Sequence, residues 1–322
     1  MRWLKAAVAA LSMLGLCGAA QAEDYPSKPI RVLVSAAPGG VLDILARSIT
    51  ERLAKDWNAQ FVVENRGGAN NQVATEALIN APPDGYTLMV TAEATMVINP
   101  FLYTHLPYNP DKDLTPITGL ASVSHALVVR KDLDVKSVAD FLALAKAKPN
   151  TISFGNFGIG STGHLNMETL QQMTGVKLIA VQYKGAAPAV NDIMGNHLDA
   201  MFIAMGTAEK FAKSGKVKIL GVGAKARFPE YPDVPTIGES VPGFEAHSWF
   251  ALVGPAHMPK PIVDKINAGV AKVFAEKEFQ DKLLKPQLFE PMVSSQADFE
   301  AFIKSDAKHW KAAIDNAHVK LE

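Results

Sequence analysis

Ile30-Arg31-Val32-Leu33-Val34-Ser35-Ala36-Ala37-Pro38-Gly39-Gly40-Val41-Leu42-Asp43 reads as a buried strand, a tight turn and the start of a helix. Ile30 to Val34 is β-branched and apolar, the pattern of a strand covered on both faces. Pro38-Gly39-Gly40 breaks it. Leu42, Leu45, Ala46, Ile49 and Leu53 then recur at spacings of three and four, which is one face of a helix. A strand ending in Gly-Gly and feeding a helix leaves backbone N–H groups unpaired at the helix N-terminus. Those donors and the helix dipole suit an anion. The glycines let a ligand approach the backbone closely. The stretch therefore predicts half of a carboxylate site, and a βα turn without a ligand is the alternative.

Working outward, residues 1–22 carry a positive start (Arg2, Lys5), an apolar run (Ala6 to Leu16) and the small-x-small site Ala20-Gln21-Ala22. That is the pattern of a secretory signal peptide cleaved after Ala22. Cleavage would remove Cys17, the only cysteine, so no disulfide or thiol-ligated metal is expected in the mature chain. A chain of this length without disulfides needs a large core and suggests two domains. The sequence has 32 basic and 32 acidic residues and no basic block, which argues against nucleic acid as a partner. Neither a cofactor motif nor a histidine spacing suited to a metal site is present.

Strand and helix alternate through the first hundred residues, with strands at Gln60 to Glu64 and Tyr86 to Thr91 and a helix from about Asn71 to Asn80. That alternation predicts a parallel sheet covered on both faces. Asp113 to Ala121 reads as extended and crossing to a second domain, and Ala126 to Val129 as a separate strand. A second βαβα set follows, with strands at Ile152 to Gly155, Val176 to Val181, Leu198 to Ile203 and Lys218 to Gly223. Ser248 to Val253 reads as a return strand, and the C-terminal helices as covers for the first sheet.

Asn156-Phe157-Gly158-Ile159-Gly160-Ser161-Thr162-Gly163-His164-Leu165 repeats the logic of the opening stretch. A strand ends, glycines turn the chain, and a helix begins with hydroxyl residues. Two such turns facing each other across a cleft would hold one ligand at both ends. For Asp43, two roles stay open: pairing with its own helix N-terminus, worth about 0.3–1 kcal/mol, or contact with a ligand. Ser161 and His164 also fit a nucleophile and its base, but no third residue is evident to orient the histidine. Lys184 is read as a solvated strand-end residue that could reach an anion.

The ordered set Pro38-Gly39-Gly40-x-x-Asp43, Val63-Glu64-Asn65-Arg66, Pro83-Asp84-Gly85-Tyr86-Thr87-Leu88, Asn99-Pro100-x-Leu102-Tyr103, Gly160-Ser161-x-x-His164-Leu165, Tyr183-Lys184-Gly185-x-x-Pro188-Ala189 and Asp233-Val234-Pro235-Thr236 resembles the solute receptors of tripartite tricarboxylate transporters, which include the Bug receptors. The resemblance covers the whole mature chain. It implies a two-domain α/β, type II periplasmic binding-protein fold, each domain a mainly parallel sheet flanked by helices, with the ligand cleft between them. Domain one would be 23–123 plus 247–322 and domain two 124–246. It also implies a monomeric periplasmic receptor without catalytic chemistry, delivering a carboxylate to membrane permease subunits. The implied ligand positions are Ala36, Gly39, Gly40, Val41, Leu42 and Asp43 in the first turn, Thr91 and Glu93 after the third strand, and Asn156, Gly160, Ser161, Thr162 and His164 in the second turn, with Tyr183 lining or closing the cleft. The alternatives are a periplasmic serine hydrolase using Ser161 and His164, and a ligand sensor for a signalling partner.

Two departures bear on the ligand. Family members often carry Pro-Phe where this chain has Ser35-Ala36, and Thr where it has Leu42. Extra volume at Ala36 and an apolar Leu42 point from a small citrate-like ligand toward a longer or flatter carboxylate, such as a phthalate-type aromatic acid. Three roles stay open for Glu93: turned to solvent, repelling a wrong ligand, or receiving a cationic group.

Overall fold

The computed structural model describes residues 25–183, 186–317 and 319–322. Residues 1–24, on which the expected signal peptide falls, and Lys184, Gly185 and His318 lie outside the described residues.

β1 (Ile30–Val34) is buried along its length except for half-buried Arg31. It pairs in parallel with β2 (Phe61–Asn65) on one side and β3 (Thr87–Ala92) on the other. α1 (Val41–Trp57) buries the stripe expected of it, including Leu42, Leu45, Ala46, Ile49 and Leu53. α2 (Gln72–Ile79) links β2 to β3. After β3 come a single π turn over Ala94–Ile98 and the short α3 (Asn99–Leu102).

The two extended segments expected at 113–121 and 126–129 are one strand. β4 runs from Leu114 to Arg130, because Ser122, Ser124 and His125 interrupt the apolar pattern without interrupting the backbone ladder. Its partners change along its length. From Leu114 to Ser124 it pairs antiparallel with β9 (His247–Pro255), and from His125 onward with β7 (Ala200–Ala204). The change falls between Ser124, opposite His247, and His125, opposite Ala204. The first half of the sheet thus has the order β2-β1-β3-β9-β4. The second continues through β7 to β5 (Ser153–Asn156) and β6 (Ile179–Gln182), which run parallel, while β8 (Val217–Val222) pairs with the far end of β4.

α4 (Val138–Ala147), α5 (Thr162–Thr174), α6 (Ala186–Met194) and α7 (Met205–Lys213) belong to the second half. Its core gathers Phe141, Phe154, Phe202 and Phe244 on one face and Ile193, Leu198 and Met201 on the other. In the first half, α1 and α8 (Lys260–Ala275) cover one face. α2 and the long C-terminal α9 (Gln296–Ala317) cover the other, so α9 is the expected cover. α9 also reaches α5, where Asn316 Nδ2 donates to Gln172 Oε1 at 2.7 Å.

One buried carboxylate ties α9 to the sheet. Asp306 Oδ2 accepts from Trp249 Nε1 of β9 at 2.6 Å and from Trp310 Nε1 at 2.9 Å. Both indoles are fully buried, so each N–H depends on that oxygen. Asp306→Ala orphans two donors, at about 1–3 kcal/mol each. Urea unfolding of this variant is expected to show a loss of about 2–4 kcal/mol; a loss below about 1 kcal/mol would contradict the assignment.

Candidate ligand-binding site

At the first turn, Gly39 takes φ +79°, a left-handed value that favours glycine, and an added Cβ there would meet open space. Gly40 is the N-cap residue of α1 and supplies no side-chain cap, so the first turn of the helix keeps unpaired backbone donors. The carboxylate of Asp43 curls back: Oδ2 accepts from the Gly39 amide at 2.8 Å and Oδ1 from Arg47 Nε at 2.9 Å. Arg47 in turn donates to Asn65 Oδ1, and Asn65 Nδ2 donates to the Ala36 carbonyl. Burial pushes the Asp43 carboxyl up, but Arg47, the Gly39 amide and Asn65 together hold it below the usual range. Of its two open roles, Asp43 thus fills the local one; it braces the turn.

Leu42 packs into the core under α1, which removes it from the open side of the turn and removes its bearing on ligand identity. Val41 instead is 39% exposed at the helix start. Ala36 is half-buried at the end of β1, where the backbone of Gly67 comes so close that a Cβ on Gly67 would lie 3.2 Å from Ala36 C.

Beneath this turn, Ser35, Thr91 and Thr95 form a buried hydroxyl chain, 3.0 Å and 2.6 Å between successive oxygens. Glu93 is 3% exposed, which excludes the solvent-facing role. Its Oε2 accepts from the Trp249 amide of β9 at 3.0 Å. Burial pushes its carboxyl up to about 7, against backbone hydrogen bonds from its own amide and Trp249; Asp306 adds to the rise and His247 opposes it.

The second turn is also built from within. Gly160 takes φ +75° and its amide donates to His164 Nδ1 at 3.1 Å. Ser161 Oγ caps α5 by accepting from the His164 amide at 3.4 Å. The His164 ring stacks on Phe154, and burial lowers its pKa. With Nδ1 accepting, its proton sits on Nε2, 3.7 Å from Glu168. No imidazole nitrogen is bonded to the Ser161 hydroxyl, so the pair does not form a nucleophile and base. Asn156 is fully buried, and its Oδ1 accepts from the Gly158 amide, while its Nδ2 has no hydrogen-bond partner. Thr162 opens the helix, half-buried. Tyr183 stands beside Asn156, its amide donating to the Asn156 carbonyl, but its hydroxyl turns to Asp192 Oδ2 at 2.7 Å.

Both turns follow the carboxyl ends of parallel strands, where open α/β sheets place ligands. The second turn abuts the first half of the molecule. A Cβ on Gly160 would lie 2.2 Å from Leu102 of α3, and Thr162 Oγ1 lies 3.3 Å from Ser248 Oγ of β9. Beside the first turn lies a loop that sequence reasoning passed over. Ala69, Asn70 and Asn71 are successive left-handed residues, and Asn70 Nδ2 donates to Asn99 Oδ1 at 2.6 Å. The Asn-Asn pair, which tolerates that conformation, was the available signal. His125, Asn166 and Ser248 were also missed; polar residues breaking an apolar strand run were the sign. A groove of about 690 Å³ lined by His247, His309, Asp306, Lys225 and Arg227 contains none of the expected site residues. His247 and Ser248 alternate along β9, so that groove opens on the opposite face.

The family model for the tripartite tricarboxylate transporter family receptor matches residues 45–319, and the chain belongs to that family. Its members are receptors, not enzymes. A protein of Bordetella bronchiseptica from the group named UPF0065 is 31% identical over 302 residues, covering 94% of this chain and 89% of the relative. Among solved structures, Rpa4515 of R. palustris with adipate is 32% identical with a TM-score of 0.84, covering 92% of this chain and 99% of that one. MatC of Rhodopseudomonas palustris with bound malate is 28% identical with a TM-score of 0.78, covering 90% and 100%.

The raised Glu93 carboxyl has a signed consequence. The folded state keeps a proton that an ordinary glutamate in the unfolded chain releases near 4.5, so stability falls as pH rises from there to about 7. Glu93→Gln has no such proton to lose. Between pH 5 and pH 8 the variant is expected to gain about 2–3 kcal/mol on the wild type in urea unfolding. Parallel pH profiles for the two proteins would contradict a buried, proton-holding Glu93.

Proposed function

We propose that this chain is an exported periplasmic receptor that closes two lobes on a carboxylate and presents it, as a monomer, to the permease subunits of a tripartite transporter. The observation that carries this reading is the pairing of two unfilled donor sets at strand carboxyl ends: the uncapped start of α1, and Asn156 Nδ2 beside the start of α5. Both suit anionic oxygen. Adipate and malate in the related structures support a diacid. In this reading the ligand positions are the amides of Val41 and Leu42 after the Gly39-Gly40 turn, with Asn156 and Thr162 opposite, while Asp43, Thr91, Gly160, Ser161 and His164 shape the turns from behind. Among the described residues no helix is long and apolar enough to cross a membrane.

In this reading the lobes are 23–123 plus 247–322, and 124–246, hinged where β4 changes partners and β9 begins. Small Ala36 leaves room for a longer or flatter acid, so the range extends from aliphatic di- and tricarboxylates to phthalate-type acids.

A thermal-shift panel of malate, adipate, citrate and phthalate on the chain from Glu23 tests the class. A ligand at about 100 times its dissociation constant adds about 2.7 kcal/mol, a clear shift. At least one diacid is expected to raise the melting temperature and to be recovered unaltered. A melt unmoved by every carboxylate would overturn the reading, and tight citrate binding with rejection of phthalate would overturn the longer-or-flatter preference. In solution scattering, the diacid that shifts the melt is expected to reduce the radius of gyration; an unchanged profile at saturation contradicts hinge closure.

A further inference from the structure

A chain of buried hydrogen bonds runs from the hinge to the start of α5. Asn166 Nδ2 lies 3.1 Å from His125 Nδ1, His125 Nε2 lies 2.9 Å from Ser248 Oγ, and Ser248 Oγ lies 3.3 Å from Thr162 Oγ1. Asn166, His125 and Ser248 are all buried. They come from three elements. His125 is the first residue of β4 to pair with β7, and Ser248 lies next to the end of β9. Thr162 and Asn166 are one turn apart on the same face of α5.

The chemistry of the groups gives this chain a direction. The Asn166 Nδ2 is a donor only, so His125 Nδ1 accepts. A neutral imidazole that accepts at Nδ1 carries its proton on Nε2 and donates it to Ser248 Oγ. Ser248 then directs its own proton to Thr162 Oγ1. One lone pair of Thr162 is thereby occupied from behind, and its own proton is left to point outward. Burial pushes the His125 ring down to about 3, so the ring stays in the neutral form this polarity needs. At 3.3 Å the last link is long for a hydroxyl pair, so it is the part of the chain most open to adjustment.

We propose that Asn166, His125 and Ser248 are positioning residues that fix Thr162 as a hydrogen-bond donor toward the ligand, so that this end of the cleft selects a carboxylate over the isosteric primary amide. The inference rests on the reading of Thr162 as a ligand contact given above. The amides at the start of α5 are donors as well. A carboxylate offers acceptors to both the Thr162 hydroxyl and those amides. An amide satisfies one and sets its NH₂ against the other, leaving buried donors unpaired.

The test compares adipate with its monoamide, adipamate, by calorimetry, with malate and its monoamides as the second pair. Wild type is expected to prefer the diacid by about tenfold or more. Ser248→Ala frees the Thr162 hydroxyl to turn and accept, so the diacid-to-monoamide ratio is expected to fall about fivefold or more, and His125→Phe to do the same. Ser248→Thr, which keeps a hydroxyl, is expected to restore the ratio. A thermal melt of each variant confirms folding. A merely structural role would weaken both ligands equally. An unchanged ratio in folded Ser248→Ala, or a wild-type preference for the monoamide, overturns the inference. Failure of wild type to bind any diacid overturns the carboxylate reading itself.

Discussion

The structure depends on one strand, β4, that serves two sheets, and on β9, which starts beside the point where β4 passes from one to the other. β4 and β9 pair with one another along the first half of the molecule, up to Ser124 opposite His247, where β9 begins. Beyond that point β4 ladders with β7 and β8 instead. Backbone hydrogen bonding therefore continues across the junction: the His125 amide donates to the Ala246 carbonyl, and the Gly223 amide to that of His125. A junction made of two extended strands resists stretching and shear but bends at small cost, because bending redistributes strain over several φ/ψ pairs. That mechanical property suits hinge closure about a ligand.

The same junction buries several polar groups. His125, Ser248, Glu93 and Asp306 are all near-fully buried within a few residues of the crossing strands. Each has a partner from another element, so the polar groups fix how the halves and their covering helices meet. Asp306 shows the balance: burial pushes its carboxyl up, and hydrogen bonds from His247 and Trp249 bring it below the ordinary value. Glu93 has less compensation and is pushed the other way. A buried polar cluster of this kind costs desolvation everywhere and returns a single arrangement of the elements around it.

Much of the fold was legible in the sequence because it is written in local periodicity. The apolar run of β1, the three-four spacing of α1 and the two glycine turns each report their own conformation. The fusion of two expected strands into β4 was not legible, because Ser122, Ser124 and His125 break the hydropathy pattern while the backbone continues. At the site, the turns themselves were legible and the orientation of individual side chains was not. Leu42 and Asp43 sit in the helix that the sequence assigns them, but one turns into the core and the other curls back on its own turn. Tyr183 lies at the strand end beside Asn156, yet its hydroxyl goes to Asp192. Such choices depend on residues far away in the chain, such as Asn65 for the Asp43–Arg47 brace, and leave no mark at short range.

The central claim is that backbone and amide donors at two opposed helix starts, rather than a charged side chain, hold an acid in the cleft. A crystal structure of the mature chain with adipate tests it most directly. One carboxylate is expected on the amides that open α1 at Val41 and Leu42, with the other end of the ligand at Asn156 and Thr162. Adipate found instead in the groove beside His247 and His309, or held by lysine or arginine side chains away from both helix starts, would contradict it.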